Sequence, residues 1–239
     1  MNKTEQVEIS IVVPTFQEAE NIAALAERIN IAMVENNRSY EMIVVDDDSG
    51  DGIDAEVEKL NKKNLPVNLI IRKAPRDLSR AVLCGFENAK GRVLVCMDAD
   101  LSHPPKAIEQ MLQKLQNGCD FVLASRYTAG ASVGRNWSTL RKLNSKIAAL
   151  PAKMFTPVSD PMSGFFALPA DVFRRAEKLD SVGFKIGLEL IVKCKIKRVE
   201  EIPIHFSERR SGKSKLSFAE QIKYLWHIYR LAKFKFFNK

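Results

Sequence analysis

Cysteine is scarce: the 239 residues hold four, Cys84, Cys96, Cys119 and Cys194, with no C-x-x-C pair or other metal-ligand spacing. That pattern argues against a disulfide scaffold or a thiolate zinc site, and the four read as reduced core residues of a cytosolic chain. Histidine is scarcer still, and His103, His205 and His227 sit in no arrangement that marks a general base. Ser163 lacks the G-x-S-x-G frame of a nucleophile elbow and reads as a turn residue. No uncharged apolar run reaches the roughly 18 residues that a spanning helix needs. The opening MNKTEQVEIS has no apolar signal-peptide core, so the chain is expected to be soluble or to lie on a membrane. Acids are outnumbered, 29 against 37 Lys and Arg, and the formal charge of +8 favours an anionic partner. Nucleic acid, a phosphorylated substrate and an acidic lipid surface all qualify, although no nucleic-acid-binding motif supports the first.

What is abundant is the short β-branched run. Ile9–Val13, Met42–Val45, Val67–Ile71, Val93–Met97 and Phe121–Ala124 are continuous rather than alternating, the pattern of strands buried on both faces. Helical patterns lie between them: Ile22, Leu25, Ile29 and Met33 share one face, as do Ile108, Met111, Leu112 and Leu115 behind Pro104 and Pro105. The first half therefore predicts a βαβ series with a mostly parallel sheet. Further on, YTAGASVGRNW (127–137) reads as a loop and a basic helical segment carries Arg141, Lys142, Lys146 and Lys153. Strands are expected at Phe165–Leu168 and near Val199–Phe206, with a short helix around Asp171–Leu179. No linker, repeat or low-complexity tract divides the chain.

Open parallel sheets bind ligands outside the carboxyl ends of their strands. That rule places PTFQE (14–18), DDDSGDG (46–52) and DADLS (98–102) on one rim. In an extended segment Asp98 and Asp100 would point to one side and could face one hard cation; alternatively one of them caps the helix that opens at Pro104. Turn chemistry accounts for Ser49, Gly50 and Gly52, but three successive acids need partners. An Asp there could accept a nucleobase N–H or lie near a cation. Pro14 is expected to end the first strand and Glu18 to start the helix, while Phe16 either stacks on a base or covers the core.

The ordered stretches VVPTFQEAENI, IVVDDDSGDG, GRVLVCMDADLSHPP, FVLASRY, DPMSGFFAL, GFKIGLELIVK and SERRSGKSKLS resemble the family 2 glycosyltransferases of GT-A fold. Within them the resemblance is to the dolichol-phosphate or polyprenol-phosphate mannosyltransferase group, over about residues 7–231. It implies an α/β, Rossmann-like GT-A fold with a mostly parallel sheet. Residues 1–215 would form the transferase domain, with nucleotide binding in about 7–125 and acceptor binding in about 126–215, and 216–239 a basic amphipathic helix. It implies a nucleotide sugar donor, GDP-mannose foremost, a polyprenyl phosphate acceptor, and Mg²⁺ or Mn²⁺. Pro14, Phe16, Glu18, Val45 and Asp47 match positions that hold the nucleoside. Asp98, Ala99 and Asp100 match the donor and metal motif, with Asp100 the principal metal ligand and Ser102 beside it. Arg126, Arg209 and Lys215 match the cations around the donor phosphates; Arg126, Arg141 and Ser145 match the acceptor-phosphate positions. The catalytic set would be Asp98, Asp100, Arg126 and Arg209. Two departures stand out: Phe16 where Tyr is common, and RDLSRAVLCGF where the helix start is usually Gly-rich.

The C-terminal stretch offers a route to a bilayer. In LSFAEQIKYLWHIYRLAKFKFFNK, Phe218, Ile222, Leu225, Tyr229, Ala232 and Phe236 fall on one helical face and Lys223, His227 and Arg230 on another. Such a helix lies in headgroups or packs its stripe on the core. The expected location is the cytoplasmic face of a membrane, peripherally. Glu189 is either a pocket acid or a paired helical residue. Rival readings are the same fold acting with UDP-glucose or on a saccharide acceptor, and a receiver-like signalling module that gathers acids around magnesium.

Overall fold

The computed structural model describes residues 7–134, 149–176, 179, 185–207 and 218–237. The strands are β1 (Ile9–Thr15), β2 (Tyr40–Asp46), β3 (Val67–Ile71), β4 (Val93–Cys96), β5 (Phe121–Ser125), β6 (Ser132–Val133), β7 (Phe166–Pro169), β8 (Val199–Pro203) and β9 (His205–Phe206). Seven of them form one sheet in the order β3-β2-β1-β4-β7-β5-β8, and β6 pairs with β9 separately. Every pairing in the large sheet is parallel except those of β7, which runs antiparallel to both β4 and β5.

Helices cover both faces, which is why the strands read as unbroken apolar runs. The helices are α1 (Ala19–Glu35), α2 (Ile53–Lys62), α3 (Leu78–Asn88), α4 (Ala107–Gln116), α5 (Ala170–Arg174), α6 (Ile186–Lys193) and α7 (Phe218–Phe237). Ile9, Ile11 and Val13 of β1 pack with Ile22, Leu25 and Ile29 of α1 and Ile108 and Met111 of α4. Val12, the alternate residue, faces the opposite layer with Ala81, Val82 and Phe86 of α3 and Leu190 of α6. The period-2 alternation of a strand thus divides one run between two cores. Phe121, Phe165 and Phe166 are fully buried between them, each worth about 1.5–3 kcal/mol of burial.

Three expectations shift. Pro14 does not end β1, which continues to Thr15. Val12 accepts from the Met97 N–H on the β4 side, and β4 pairing stops at Cys96, so Pro14 meets that side past its last partner and needs no N–H. The expected strand near Val199–Phe206 divides at Ile204 between two sheets, and part of the expected loop after Tyr127 is the strand β6. Helix α5 ends at Arg174, short of Leu179.

Candidate active site

The carboxyl ends of β1, β2 and β4 form one rim, where each acidic stretch leaves its strand. Asp46 is buried and accepts from the Ser49 backbone N–H at 2.8 Å and from Thr15 Oγ1 at 3.0 Å, so it locks the β2–α2 turn. Asp51 Oδ2 accepts the Ala19 N–H at 2.9 Å and serves the start of α1 from the neighbouring turn. Asp47 does something different. Its Oδ1 accepts Arg72 Nε at 2.7 Å and its Oδ2 accepts the Asp77 N–H at 2.7 Å. Asp77 in turn accepts the Arg80 N–H and caps α3, which is how this helix begins without glycines. Asp48 is exposed in a left-handed conformation, φ 51°. The partners that three adjacent acids require are therefore Ser49, Thr15, Arg72 and the α3 start. Phe16 is half-buried and lies under the Arg76 guanidinium, 3.9 Å from the ring centroid, so it neither joins the core nor stands open. Glu18 accepts from Asn21 Nδ2 at 2.7 Å. Pro14, Val45 and Ala99 are buried, leaving their backbone rather than their side chains for a ligand.

The strand geometry expected for Asp98 and Asp100 is absent. β4 ends at Cys96 and the chain turns, with Leu101 at φ 63°. Alternation along an extended segment does not place these carboxylates; separate contacts do. His103 Nδ1 accepts the Asp98 backbone N–H at 3.1 Å, so the neutral ring carries its proton on Nε2, 3.9 Å from Asp98 Oδ2. The ring is buried, stacked on Phe165 at 5.0 Å and edge-on to Phe206 at 5.4 Å. Asp98 keeps 29% of its side chain exposed and lies against Gly164, where an added Cβ would come 3.1 Å from Oδ1. Asp100 is buried and its Oδ1 accepts both the Ser102 hydroxyl and, at 3.1 Å, the Ser102 N–H. Ser102 thus acts on Asp100 first, as its orienting partner.

Arg126 follows β5 and makes a two-pronged pair with Asp160, Nε to Oδ2 at 2.7 Å and Nη2 to Oδ1 at 2.8 Å. Burial works against the Arg126 charge; the Asp160 hydrogen bonds and carboxylate outweigh it, with Asp98 adding to them, so the guanidinium is held above its ordinary range. Asp160 is itself placed by Glu201 of β8, which accepts the N–H groups of Ser159 and Asp160 at 2.8 and 3.0 Å. Asp160, Glu201 and His103 had no role from the sequence. The rim rule considers only carboxyl ends of parallel strands, whereas β7 is antiparallel and brings its amino-terminal flank, 160–165, to the same edge. Ser163 in that flank donates to the Ala124 carbonyl at 2.7 Å and holds the turn. The Ser207 N–H donates to the Ser102 carbonyl at 3.1 Å, which brings the beginning of SERRSGKSKLS to Asp100. Arg209 and Lys215 themselves, with Arg141 and Ser145, lie outside the described residues.

Among the described residues no group of three or more His, Cys, Asp and Glu forms a protein-only metal cage. Two carboxylates and a hydroxyl at one turn are an oxygen donor set that suits a hard cation sharing its remaining positions with a diphosphate.

Away from the rim, α6 and α7 pack through Leu188, Val192, Ile228 and Leu231. Glu189 is buried and paired with Lys193 at 2.7 Å, the helical alternative. Of the expected apolar stripe of α7, Leu225, Tyr229 and Phe236 are exposed, as is Trp226, and Ala232 packs on the cluster with α6; His227, grouped with the polar residues, is 5% exposed. Phe218, Ile222 and Lys223 lie outside the described side chains. Ile228 and Leu231, left out of the stripe, meet the core. Burial holds the His227 imidazole below the usual histidine range against the pull of Glu189.

Comparison with known proteins meets this geometry. The family model for glycosyl transferase family 2 matches residues 10–176. The dolichol-phosphate mannosyltransferase of Pyrococcus furiosus is 42% identical over 233 residues, covering 96% of this chain and 65% of that protein. The chain therefore spans slightly less than two thirds of that relative's length. The protein of the same name from Saccharomyces cerevisiae is 40% identical, covering 96% of this chain and 89% of that one. A glucosyl-3-phosphoglycerate synthase of Mycobacterium tuberculosis, solved with Mn²⁺, uridine-diphosphate-glucose and phosphoglyceric acid, superimposes with a TM-score of 0.70 at 14% identity. It covers 94% of this chain and 79% of its own, a likeness of fold alone. The chain belongs to glycosyl transferase family 2 and is a glycosyltransferase of the dolichol-phosphate mannosyltransferase group.

Proposed function

We propose that the protein transfers mannose from GDP-mannose to a polyprenyl monophosphate, dolichyl or undecaprenyl, with inversion at the anomeric carbon. The convergence of Asp47, Asp98, Asp100 and the Arg126–Asp160 pair around one sheet rim carries the reading, together with the two mannosyltransferase relatives. Breaking a glycosyl–diphosphate bond leaves negative charge on the leaving group, and a fixed cation beside it stabilises the transition state more than the ground state. Arg126, held by Asp160, is such a cation in a partly buried setting; Arg209 and Lys215 would add to it. Asp98 and Asp100, with Ser102, would hold Mg²⁺ or Mn²⁺, which when bound neutralises diphosphate charge. The acceptor is a phosphate monoester with a second pKa of about 6, already ionised at neutral pH, so the rim needs no general base. Arg126 and Arg141 with Ser145 would receive that phosphate. Asp47 frames the nucleoside through its bond to Arg72, and Phe16 under Arg76 offers the base an aromatic edge.

The lipid acceptor requires an approach to a bilayer. Among the described residues no helix is long and apolar enough to cross one. The exposed Leu225, Trp226, Tyr229 and Phe236 of α7 supply an interfacial face, with Leu150 and Met154 exposed nearby in sequence to the turn that meets Lys235. On this reading the face would rest on the cytoplasmic side of a membrane.

Purified protein incubated with labelled GDP-mannose and undecaprenyl or dolichyl phosphate is expected to move label into the organic phase. EDTA abolishes the transfer and Asp100→Ala lowers it on the order of a hundredfold or more. Unchanged turnover in that variant removes the metal role of Asp100; label that enters only from UDP-glucose transfers the reading to the glucose donor.

A further inference from the structure

The sheet order β3-β2-β1-β4 turns back at β1, so the ligand crevice of this open α/β sheet lies between the ends of β1 and β4. In the reading above the donor diphosphate sits at the β4 turn, beside Asp98 and Asp100, and the acceptor on the β5 side, at Arg126. The nucleoside then runs the other way. Two strand spacings of about 4.8 Å carry it from β4 across β1 to the end of β2, which is the reach of a ribose and its base. The loop from Arg72 to Asp77, between β3 and α3, borders that path.

This loop is pinned on both sides of Arg76. The Arg72 guanidinium donates to the Pro75 carbonyl at 3.0 Å, and Asp47 Oδ2 accepts the Asp77 N–H at 2.7 Å. Asp47 Oδ1 accepts Arg72 Nε at 2.7 Å and the Asp47 side chain is only 3% exposed, so this acid holds the loop and offers a base little. Arg76 is exposed, and it reaches back over the residue that follows β1: its guanidinium lies 3.9 Å from the Phe16 ring centroid. The ring takes the face of the guanidinium and leaves its N–H edge open. Among the described residues no hydrogen bond or ion pair engages that edge. A planar fork of donors, oriented by an aromatic platform, fits two acceptors side by side. Guanine presents such a pair, O6 and N7; uracil sets O4 beside a C–H, and adenine and cytosine each place an amino donor there.

We propose that Arg76 selects guanine in the nucleotide, donating two N–H bonds to O6 and N7 while Phe16 holds its guanidinium from beneath. The inference rests on the reading of a guanosine donor and names the residue that enforces it.

Isothermal titration calorimetry of the full chain with Mn²⁺ compares GDP, UDP and 7-deaza-GDP, in which a C–H replaces N7. The wild type is expected to bind GDP about fivefold or more tighter than 7-deaza-GDP, and about tenfold or more tighter than UDP. Arg76→Ala, at an exposed position, is expected to weaken GDP about tenfold, to bring it level with 7-deaza-GDP, and to leave UDP where it was. Arg76→Lys keeps the charge and loses the fork, so it is expected to follow Arg76→Ala. A preference for GDP over 7-deaza-GDP that survives in Arg76→Ala overturns the role. An equal loss for all three nucleotides overturns it too, and makes Arg76 a phosphate cation. A wild type that binds GDP and 7-deaza-GDP alike, with UDP weaker, removes the N7 contact while the guanosine donor stands. Failure of the donor reading looks different: the wild type binds UDP as tightly as GDP or more so, and the guanine role falls with it.

Discussion

Asp160 shows how one side chain can govern another's charge. Its carboxylate grips Arg126 at 2.7 and 2.8 Å while only 1% exposed. Asp160→Asn keeps the shape and removes the charge, so stability is expected to fall by about 1.5–3 kcal/mol, read as a lower urea midpoint. Transfer should fall by more than stability explains, because Arg126 then loses the carboxylate that holds it at the proposed phosphate position. Gly164→Ala is the opposite case. Its Cβ would press on Asp98 Oδ1 at 3.1 Å, so kcat is expected to drop about tenfold or more with the melting temperature nearly unchanged. A wild-type kcat in that variant would mean that Asp98 tolerates displacement. Asp98 and Asp100 were candidates from DADLS, since acids after a strand run are a local signal, and Arg126 only from the family resemblance. Asp160 and His103 were not, because their importance lies in which distant side chains they touch.

At the scale of elements, the close approach of neighbouring backbones sets the rim's shape. Gly91 precedes β4 and its N–H donates to Ser10 Oγ at 2.8 Å, with Ser10 bonded in turn to Glu41 at 2.6 Å. A Cβ at Gly91 would lie 2.5 Å from the Ser10 backbone nitrogen, where nothing flexible can yield. Gly91→Ala is expected to cost about 1–3 kcal/mol, measured by denaturant unfolding, and to displace the β4 end that carries Asp98. Helix α7 teaches a second lesson. Helical periodicity located its apolar residues but left open whether their stripe meets protein or lipid, because a helix with hydrophobics on most sides does not say which side meets protein. Replacing Trp226 and Tyr229 by Ser should abolish vesicle binding while leaving unfolding midpoints within about 0.5 kcal/mol of wild type.

For the whole molecule, acid sensitivity follows from His227. Burial lowers its folded-state pKa below the 6.5 of an unfolded histidine, so the unfolded chain binds the extra proton first. Its contribution to stability is complete above about pH 6.5 and is lost as pH falls from there toward the lowered folded value. Unfolding midpoints measured from pH 7.5 to 5 should decline, and His227→Phe should flatten that part of the decline. An unaltered slope in the variant would assign the acid loss to other groups.

The sequence by itself determined the layered α/β plan, since runs of β-branched residues between amphipathic segments leave few other ways to bury apolar surface. It also determined which acids stand at strand ends, a consequence of chain order. Only the tertiary structure decided that β7 runs against its neighbours and so carries Asp160 to Arg126, that Asp98 is set by His103 rather than by strand alternation, and which face of α7 is left bare. Those are relations between residues 5 to 41 positions apart or more, made by packing, and no local pattern encodes a partner that only folding brings near.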